Sequence, residues 1–477
     1  MALDILLINP RATDYPKIQQ KSYAPLNLLY IAAVLEQDGH KVRVSDLNAT
    51  LIDDAEVKRV INTANADIYA FPYFSEIAKQ NQWLAQLCRQ ANAEATIVMG
   101  GPGASPVPKQ CLEQFPEVDA IVRGEGEWTM QELARRVDAN LSLKDCLGVT
   151  YRADDGTLVT NQARPVETNL DKLPAPARHL VSDIYQRGEY YALLESDRPV
   201  GGIVTTRGCP FSCGFCYNTT KRYRMRSPEN VVEELVHLKT KLGVNFVEFN
   251  DILFTANRRR AERIFELLIK ENLGIRFAFK ARAPEINDRF VDLARRAGAA
   301  QIGFGVESGS QDIIERMNKK TTVQQCADGI AAVRKAGIRC HTGYVLGYPG
   351  ETPDTIRDTV DFILKTKPTT VTIDVLLPYP DTPVYHEAKA DGSLVGDWSP
   401  NMPEYPWVKL PWVRNREELE QARSWAMNRV FFRPFYAWQF VSMIASARNR
   451  KLAEYMAQET RLSIFPKHDE ASRAIGW

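Results

Sequence analysis

Thr205-Thr206-Arg207-Gly208-Cys209-Pro210-Phe211-Ser212-Cys213-Gly214-Phe215-Cys216-Tyr217 follows an apolar run at 202–204 and sets three cysteines at the spacing C-x3-C-x2-C. A strand feeding so tight a loop can aim three thiolates at one centre. Three soft ligands hold an iron–sulfur cluster at three of its corners and leave one iron open for chemistry. A structural zinc site wants four ligands, and neither a second C-x2-C nor a close Cys/His pair follows. A disulfide framework fits worse, because three cysteines do not pair evenly and no secretory context accompanies them.

Outward from this loop towards the C-terminus, helical patterns alternate with short apolar runs. The pairs are 228–242 with 246–249, 259–271 with 275–280, 288–297 with 301–306, 323–336 with 340–346, and 355–366 with 370–376. Six strand–helix repeats predict an open or partial barrel over 199–390, whose chemistry lies at the carboxyl ends of its strands. Gly343, Gly347 and their neighbours in Gly343-Tyr344-Val345-Leu346-Gly347-Tyr348-Pro349-Gly350-Glu351 leave one strand face bare, as a ligand laid against it requires. His341, on that face, reads as a core histidine. Beyond 391 the chain turns mainly helical. An aromatic run at 430–440 reads as a cap packed on the barrel, with a rim for an apolar substrate or a membrane surface as the alternative.

Upstream, residues 1–140 alternate short strands with helices, the mark of a parallel sheet covered on both faces, which binds ligands beyond its strand ends. Two glycine clusters fall there: Gly100, Gly101 and Ser105 after the fourth strand, and Gly124 with Glu125 after the fifth. Residues 141–198 read as a connector with a hairpin around Asp155-Gly156.

The chain of 477 residues is long enough for two or three domains. Sixty basic against 59 acidic residues give a formal charge of +1, so no global field favours nucleic acid. No run of roughly 20 apolar residues offers a membrane span. The expectation is a soluble protein of a reducing cytoplasm. Cys88, Cys111, Cys146, Cys326 and Cys340 are scattered and read as small buried hydrophobes.

The cysteine loop resembles the radical S-adenosylmethionine (SAM) signature, with Phe215 in its aromatic position. Residues 1–140 resemble the B12-binding domain found ahead of it in many such enzymes. The resemblance implies an α/β protein: a Rossmann-like B12-binding domain, then a partial (β/α)6 radical SAM barrel and a C-terminal helical cap. It implies a [4Fe–4S] cluster on Cys209, Cys213 and Cys216, with SAM on the open iron and Phe215 against the adenine. Asp251, in Asn250-Asp251, stands where the SAM amino group is received, Glu307 where the ribose hydroxyls bind, and Gly343 and Gly347 in the fifth-strand motif. Arg282, ahead of Lys280, is expected to pair with the SAM carboxylate. Cobalamin would meet Gly100, Gly101, Ser105, Gly124 and Glu125, with Tyr73 beneath it. The Asp-x-His-x-x-Gly of B12-dependent mutases is absent, and His40, in a turn, does not replace its histidine.

What this family implies is reductive cleavage of SAM to a 5′-deoxyadenosyl radical and methylation of an unactivated carbon of a small molecule or lipid. A low-potential donor such as flavodoxin or ferredoxin would supply the electron. A non-methylating cyclase or ring-modifying enzyme is the alternative. A corrinoid or electron carrier is a further one, but it leaves Glu307 without a purpose. A methylthiotransferase would carry a further set of cluster cysteines.

Overall fold

The computed structural model describes residues 2–11, 21–50, 52–74, 77–192, 195, 199–218, 220, 222–398, 404–436 and 438–439. The first sheet contains β1 (Asp4–Asn9), β2 (Lys41–Asp46), β3 (Ile68–Pro72), β4 (Thr96–Gly100) and β5 (Ala120–Val122), all parallel, in the order β2-β1-β3-β4-β5. The hairpin falls where the sequence places it, as β6 (Val149–Arg152) and β7 (Leu158–Thr160). It does not belong to a free connector, however: β6 pairs antiparallel with β5 and extends the first sheet to Thr160. Sheet edges attract the nearest strand with unpaired backbone, and β5 offered one.

Helix α1 (Leu26–Gln37) is apolar nearly all round, as buried helices are. Leu28, Ala32 and Leu35 pack with the first sheet, while Leu26, Leu29 and Tyr30 join the barrel's core. One helix therefore serves two cores and fixes how the domains meet.

The second sheet runs β8 (Val200–Ile203), β9 (Phe246–Phe249), β10 (Arg276–Ala281), β11 (Ala299–Glu307), β12 (Arg339–Leu346) and β13 (Thr370–Val375). All are parallel, paired in sequence order, and β8 does not pair with β13. This is the open six-stranded barrel the sequence predicts. Helices α2 (Pro228–Leu242), α3 (Arg258–Glu271), α4 (Asp288–Ala297), α5 (Val323–Lys335) and α6 (Pro353–Thr366) cover its outside. Side chains of Ser227, Asn257, Asn287, Thr322 and Thr352 cap their first turns. Between strands and helices lie Phe249, Phe254, Phe265, Phe277, Phe279 and Phe290, ring against ring.

The amino ends of the barrel are plugged from the connector. Glu195, 2% exposed, pairs with Arg276 at 3.0 Å and with Arg339, the first residues of β10 and β12. After the barrel, helix α7 (Arg416–Phe431) packs against α6 and β13. Helix α7 ends at Phe431, and of the aromatic run at 430–440 residues 437 and 440 lie outside the described residues. The aromatic run divides: Tyr436 is buried in the barrel core, whereas Phe432 and Trp438 are 61% and 72% exposed.

Candidate active site

The cysteine loop leaves β8 at its carboxyl end and is anchored at its root. The Asp251 carboxylate, fully buried, accepts from the backbone N–H groups of Thr205 and Thr206 at 2.7 and 2.8 Å and from the Thr205 hydroxyl at 2.5 Å. Gly208 takes φ +78°, and a Cβ there would sit 2.3 Å from the Arg222 carbonyl oxygen, so no other residue makes this turn. Gly214 donates to the Met317 carbonyl at 2.8 Å and accepts from Val384 N–H at 3.0 Å. A Cβ on Gly214 would lie 2.3 Å from the Tyr348 hydroxyl. Arg282 stacks on Phe211 at 3.6 Å and donates to the Lys319 carbonyl and, at 2.9 Å, to that of Lys320.

Two expectations are corrected by these contacts. Asp251 does not reach a ligand's amino group, because three donors inside the protein occupy its oxygens; its neighbour Asn250 lines the cavity instead. Arg282 lays its face on Phe211 and commits its Nη2 to the 319–320 backbone, so that only its Nε and Nη1 are left to meet a carboxylate.

Cys209 and Cys213 are half-buried, Cys216 is exposed, and all three are free thiols. Burial pushes the Cys216 thiol up to about 11, and charge on Cys213 and Cys209 adds to the rise. Burial also raises Cys213, against the pull of Lys319 and Arg282. Three thiolates that repel one another want a cationic centre between them. Among the described residues no three His, Cys, Asp or Glu side chains are gathered tightly enough to ligate a single metal ion. The donor set, three soft thiols on one loop, fits a cluster. Phe215 packs its ring against the apolar group around Met317, Leu376 and Val384.

Glu307 closes β11 in a left-handed backbone conformation, φ +73°, a strained setting for a side chain other than glycine. Its carboxylate pairs with the Lys319 ammonium at 2.6 Å, both largely buried. Gly305 makes room, since a Cβ there would meet the Glu307 oxygen at 2.2 Å. Lys319, whose ammonium is also 5.7 Å from the Phe215 ring, is missing from the sequence reading. In Asn318-Lys319-Lys320 it looks like a solvated charge, and no spacing ties it to Glu307. On the lumen face Gly343 is bare, with only the Thr372 hydroxyl near a would-be Cβ, at 3.5 Å. His341 Nδ1 and the Thr370 hydroxyl lie 2.9 Å apart on the same face. Gly347, φ +92°, forms the turn at the end of β12, and its N–H donates to Glu351. Glu351 is buried, which pushes its carboxyl up to about 8.

The carboxyl ends of the two sheets face a common cavity of about 420 Å³. Gly100, Gly101, Ser105, Gly124 and Glu125 line one side; Thr206, Arg207, Gly208 and Asn250 line the other. The Ser105 hydroxyl donates to the Gly101 carbonyl at 2.9 Å and accepts from Gly124 N–H at 3.1 Å, joining the two glycine turns. Glu125 also ties the domains, pairing with Arg224 at 2.5 Å and Arg207 at 3.4 Å, while Glu127 holds Arg207 at 2.5 Å. A glycine-faced floor with walls such as Val98, Met99 and Val122 suits a broad, largely apolar ring system. Tyr73 is corrected: it lies in the core beneath Gly103 and edge-on to Phe115, 1% exposed, with Pro72 at the cavity in its place. Ser75 falls outside the described residues. His40 accepts from Leu3 N–H at 3.3 Å, at the start of β1 and so away from the cavity.

A second cavity, of about 710 Å³, lies between α1, the connector and α2, around the buried Arg178, Glu234 and Arg226. It runs along the seam between the domains.

Comparison with known proteins agrees with this geometry. The Radical SAM superfamily profile matches residues 203–363, and the B12 binding domain profile matches residues 20–134. An uncharacterized methyltransferase of Pyrococcus horikoshii is 29% identical over 400 residues, 82% of this chain and 84% of that protein. An anaerobic magnesium-protoporphyrin IX monomethyl ester cyclase of Rubrivivax gelatinosus is 27% identical, over 80% and 69% of the two chains. In fold, the radical SAM methyltransferase TsrM of Kitasatospora setae, solved with cobalamin and a [4Fe–4S] cluster, superposes with a TM-score of 0.68 at 22% identity, covering 82% of this chain and 79% of that one. The cobalamin-dependent enzyme OxsB reaches 0.74 at 20% identity, over 97% and 72%. With both profiles placed on the two halves of one cavity, the chain belongs to the cobalamin-dependent radical SAM enzymes, whose cofactors are a [4Fe–4S] cluster, SAM and cobalamin.

Proposed function

We propose that this enzyme methylates an unactivated carbon of a small molecule or lipid. The observation that carries the reading is the shared cavity: the root of the cysteine loop and the glycine turns of the first sheet line the same space. The cluster with SAM supplies a hydrogen-abstracting radical, and cobalamin supplies a methyl carrier. A substrate between them can meet both. Methyltransferases among the relatives support this outcome, including a cytidylyl-2-hydroxyethylphosphonate methyltransferase and a hopanoid C-3 methylase at 27% and 25% identity.

The protein's own part is to bind, orient and exclude water. Cys209, Cys213 and Cys216 hold the cluster. Glu307 accepts the ribose hydroxyls, since a carboxylate offers two acceptors to a diol, and Lys319 stands beside it to receive the SAM carboxylate in place of Arg282. Gly343 leaves the lumen face open to the adenosine, and Phe215 walls it. Gly100, Gly101, Ser105, Gly124 and Glu125 would receive the corrinoid. The enzyme works in a reducing cytoplasm with a low-potential donor of the flavodoxin or ferredoxin kind. Among the described residues no helix is long and apolar enough to cross a membrane.

Cyclases among the relatives favour the second reading, a non-methylating reaction on a tetrapyrrole-type substrate. The test is anaerobic turnover with methyl-deuterated SAM over a substrate panel. Methylation predicts label in the product together with 5′-deoxyadenosine; deoxyadenosine with an unlabelled, altered product would replace it with the second reading.

A further inference from the structure

We propose that an aromatic stack beside the third cysteine is the port through which a protein electron donor reduces the cluster. The inference rests on the cluster alone and is indifferent to whether the product is methylated.

Tyr217 follows Cys216 directly. Its ring centre lies 5.8 Å from that of Tyr379, with the planes 27° apart; Tyr379 lies 4.8 Å from Trp398 at 20°. Tyr405 continues the series at 6.5 Å and 54°, with the Arg416 guanidinium 5.7 Å from its centre. The stack is fixed rather than incidental, because the Trp398 indole N–H donates to the Pro378 carbonyl at 2.7 Å.

Several sides of the loop are covered within the protein. Its root faces the first domain through Arg207 and Glu127. Phe211 is covered by Arg282, and the backbone of Gly214 is bonded on both edges. Lys319 and Glu307 fill the inner side. Pro210, Ser212 and Cys216 reach solvent, and on the Cys216 side the way outward runs along four rings, each partly exposed to solvent.

Close-packed rings shorten the empty gap an electron must tunnel through, and offset stacks keep π-systems in contact. One electron leaves the reduced flavin or iron–sulfur centre of the donor and enters the cluster. No atom or proton moves in that step, and the rings are returned unchanged. Charge of both signs flanks the stack: Asp397, which accepts from the Trp398 backbone N–H at 2.8 Å, pairs with Lys389 at 3.6 Å, and Arg416 lies over Tyr405, a rim of mixed charge suited to docking another protein.

The experiment follows bleaching of the cluster's visible absorption after anaerobic mixing with reduced flavodoxin, and separately with dithionite, which is small enough to reach the cluster without the port. In Tyr379→Leu and Trp398→Leu the flavodoxin-driven rate falls about tenfold, Trp398→Phe restores it, and the dithionite-driven rate and iron content stay as they were. An unchanged flavodoxin rate, or equal slowing with both reductants, overturns the port. Should the inner variants lose their cluster, Tyr405→Leu, at the far end of the stack, decides: slowing with flavodoxin alone supports the port, and no change overturns it.

Discussion

The two sheets that meet at the cavity carry opposite kinds of surface at their carboxyl ends, although the cysteines, Glu307 and Lys319 stand beside the cavity rather than among its lining residues. The barrel's end is dressed with side chains that bond or carry charge, namely the three cysteines, Glu307 and Lys319. The first sheet's end is mostly backbone, with Gly100, Gly101 and Gly124 over apolar walls. A reactive centre that must be ligated and held at a set charge needs the first kind. A large cofactor bound by shape needs the second. The contrast teaches that damage on the barrel side should act on chemistry, and damage on the other side on occupancy.

The largest expected break lies on the barrel side. Cys213→Ala removes a cluster corner, so iron content and visible absorption collapse and SAM cleavage falls by about 10³-fold or more. Corrinoid retention, measured by absorbance after gel filtration, survives. Next comes Glu307→Ala, which leaves the Lys319 ammonium buried without its partner at 2.6 Å. Breaking one side of such a pair costs about 3–5 kcal/mol. The double variant Glu307→Ala/Lys319→Met recovers most of that loss in urea unfolding, while SAM affinity stays low in both.

A third test uses pH. Burial raises Glu351 to about 8, well above the ordinary carboxylate value, so over the interval between the two the native state holds a proton the unfolded chain has released. Stability therefore falls as pH rises, by roughly 3 kcal/mol between about pH 5.5 and 8. Glu351→Gln flattens that slope and is the more stable form at the alkaline end. The smallest effect belongs to the backbone side. Gly101 sits at φ +95°, so Gly101→Ala costs about 1–2 kcal/mol and weakens corrinoid retention, with iron content and SAM cleavage intact. If Gly101→Ala instead abolished SAM cleavage, the division of labour between the sheets would be lost.

The same contrast explains what the sequence reveals. The cysteine loop is legible because its chemistry resides in residue type and spacing, whereas Glu307 is singled out only by the family resemblance. Gly100, Gly101, Ser105 and Gly124 are legible only as turns after strands, and it is the second sheet facing them that makes those turns one side of a cavity. Sequence places a charge at a strand end without saying where it points: Asp251 turns inward to hold the root of the cysteine loop, and Arg282 lies on Phe211 and bonds the 319–320 backbone. Tyr73 alternates into the core although its neighbour Pro72 meets the cavity. Lys319 and the Arg207–Glu127 tie depend on contacts across 12 and 80 residues of chain, and no local pattern encodes such pairs. The open barrel, by contrast, is written locally in the strand–helix alternation and its helix caps.

The claim that both sheets serve one reaction space is tested most directly by electron paramagnetic resonance on the anaerobic holoprotein, poised with the cluster reduced and the corrinoid as cob(II)alamin. The account predicts that each signal is split and broadened by dipolar coupling to the other. Two unperturbed signals, from a protein shown to carry both cofactors, would contradict it.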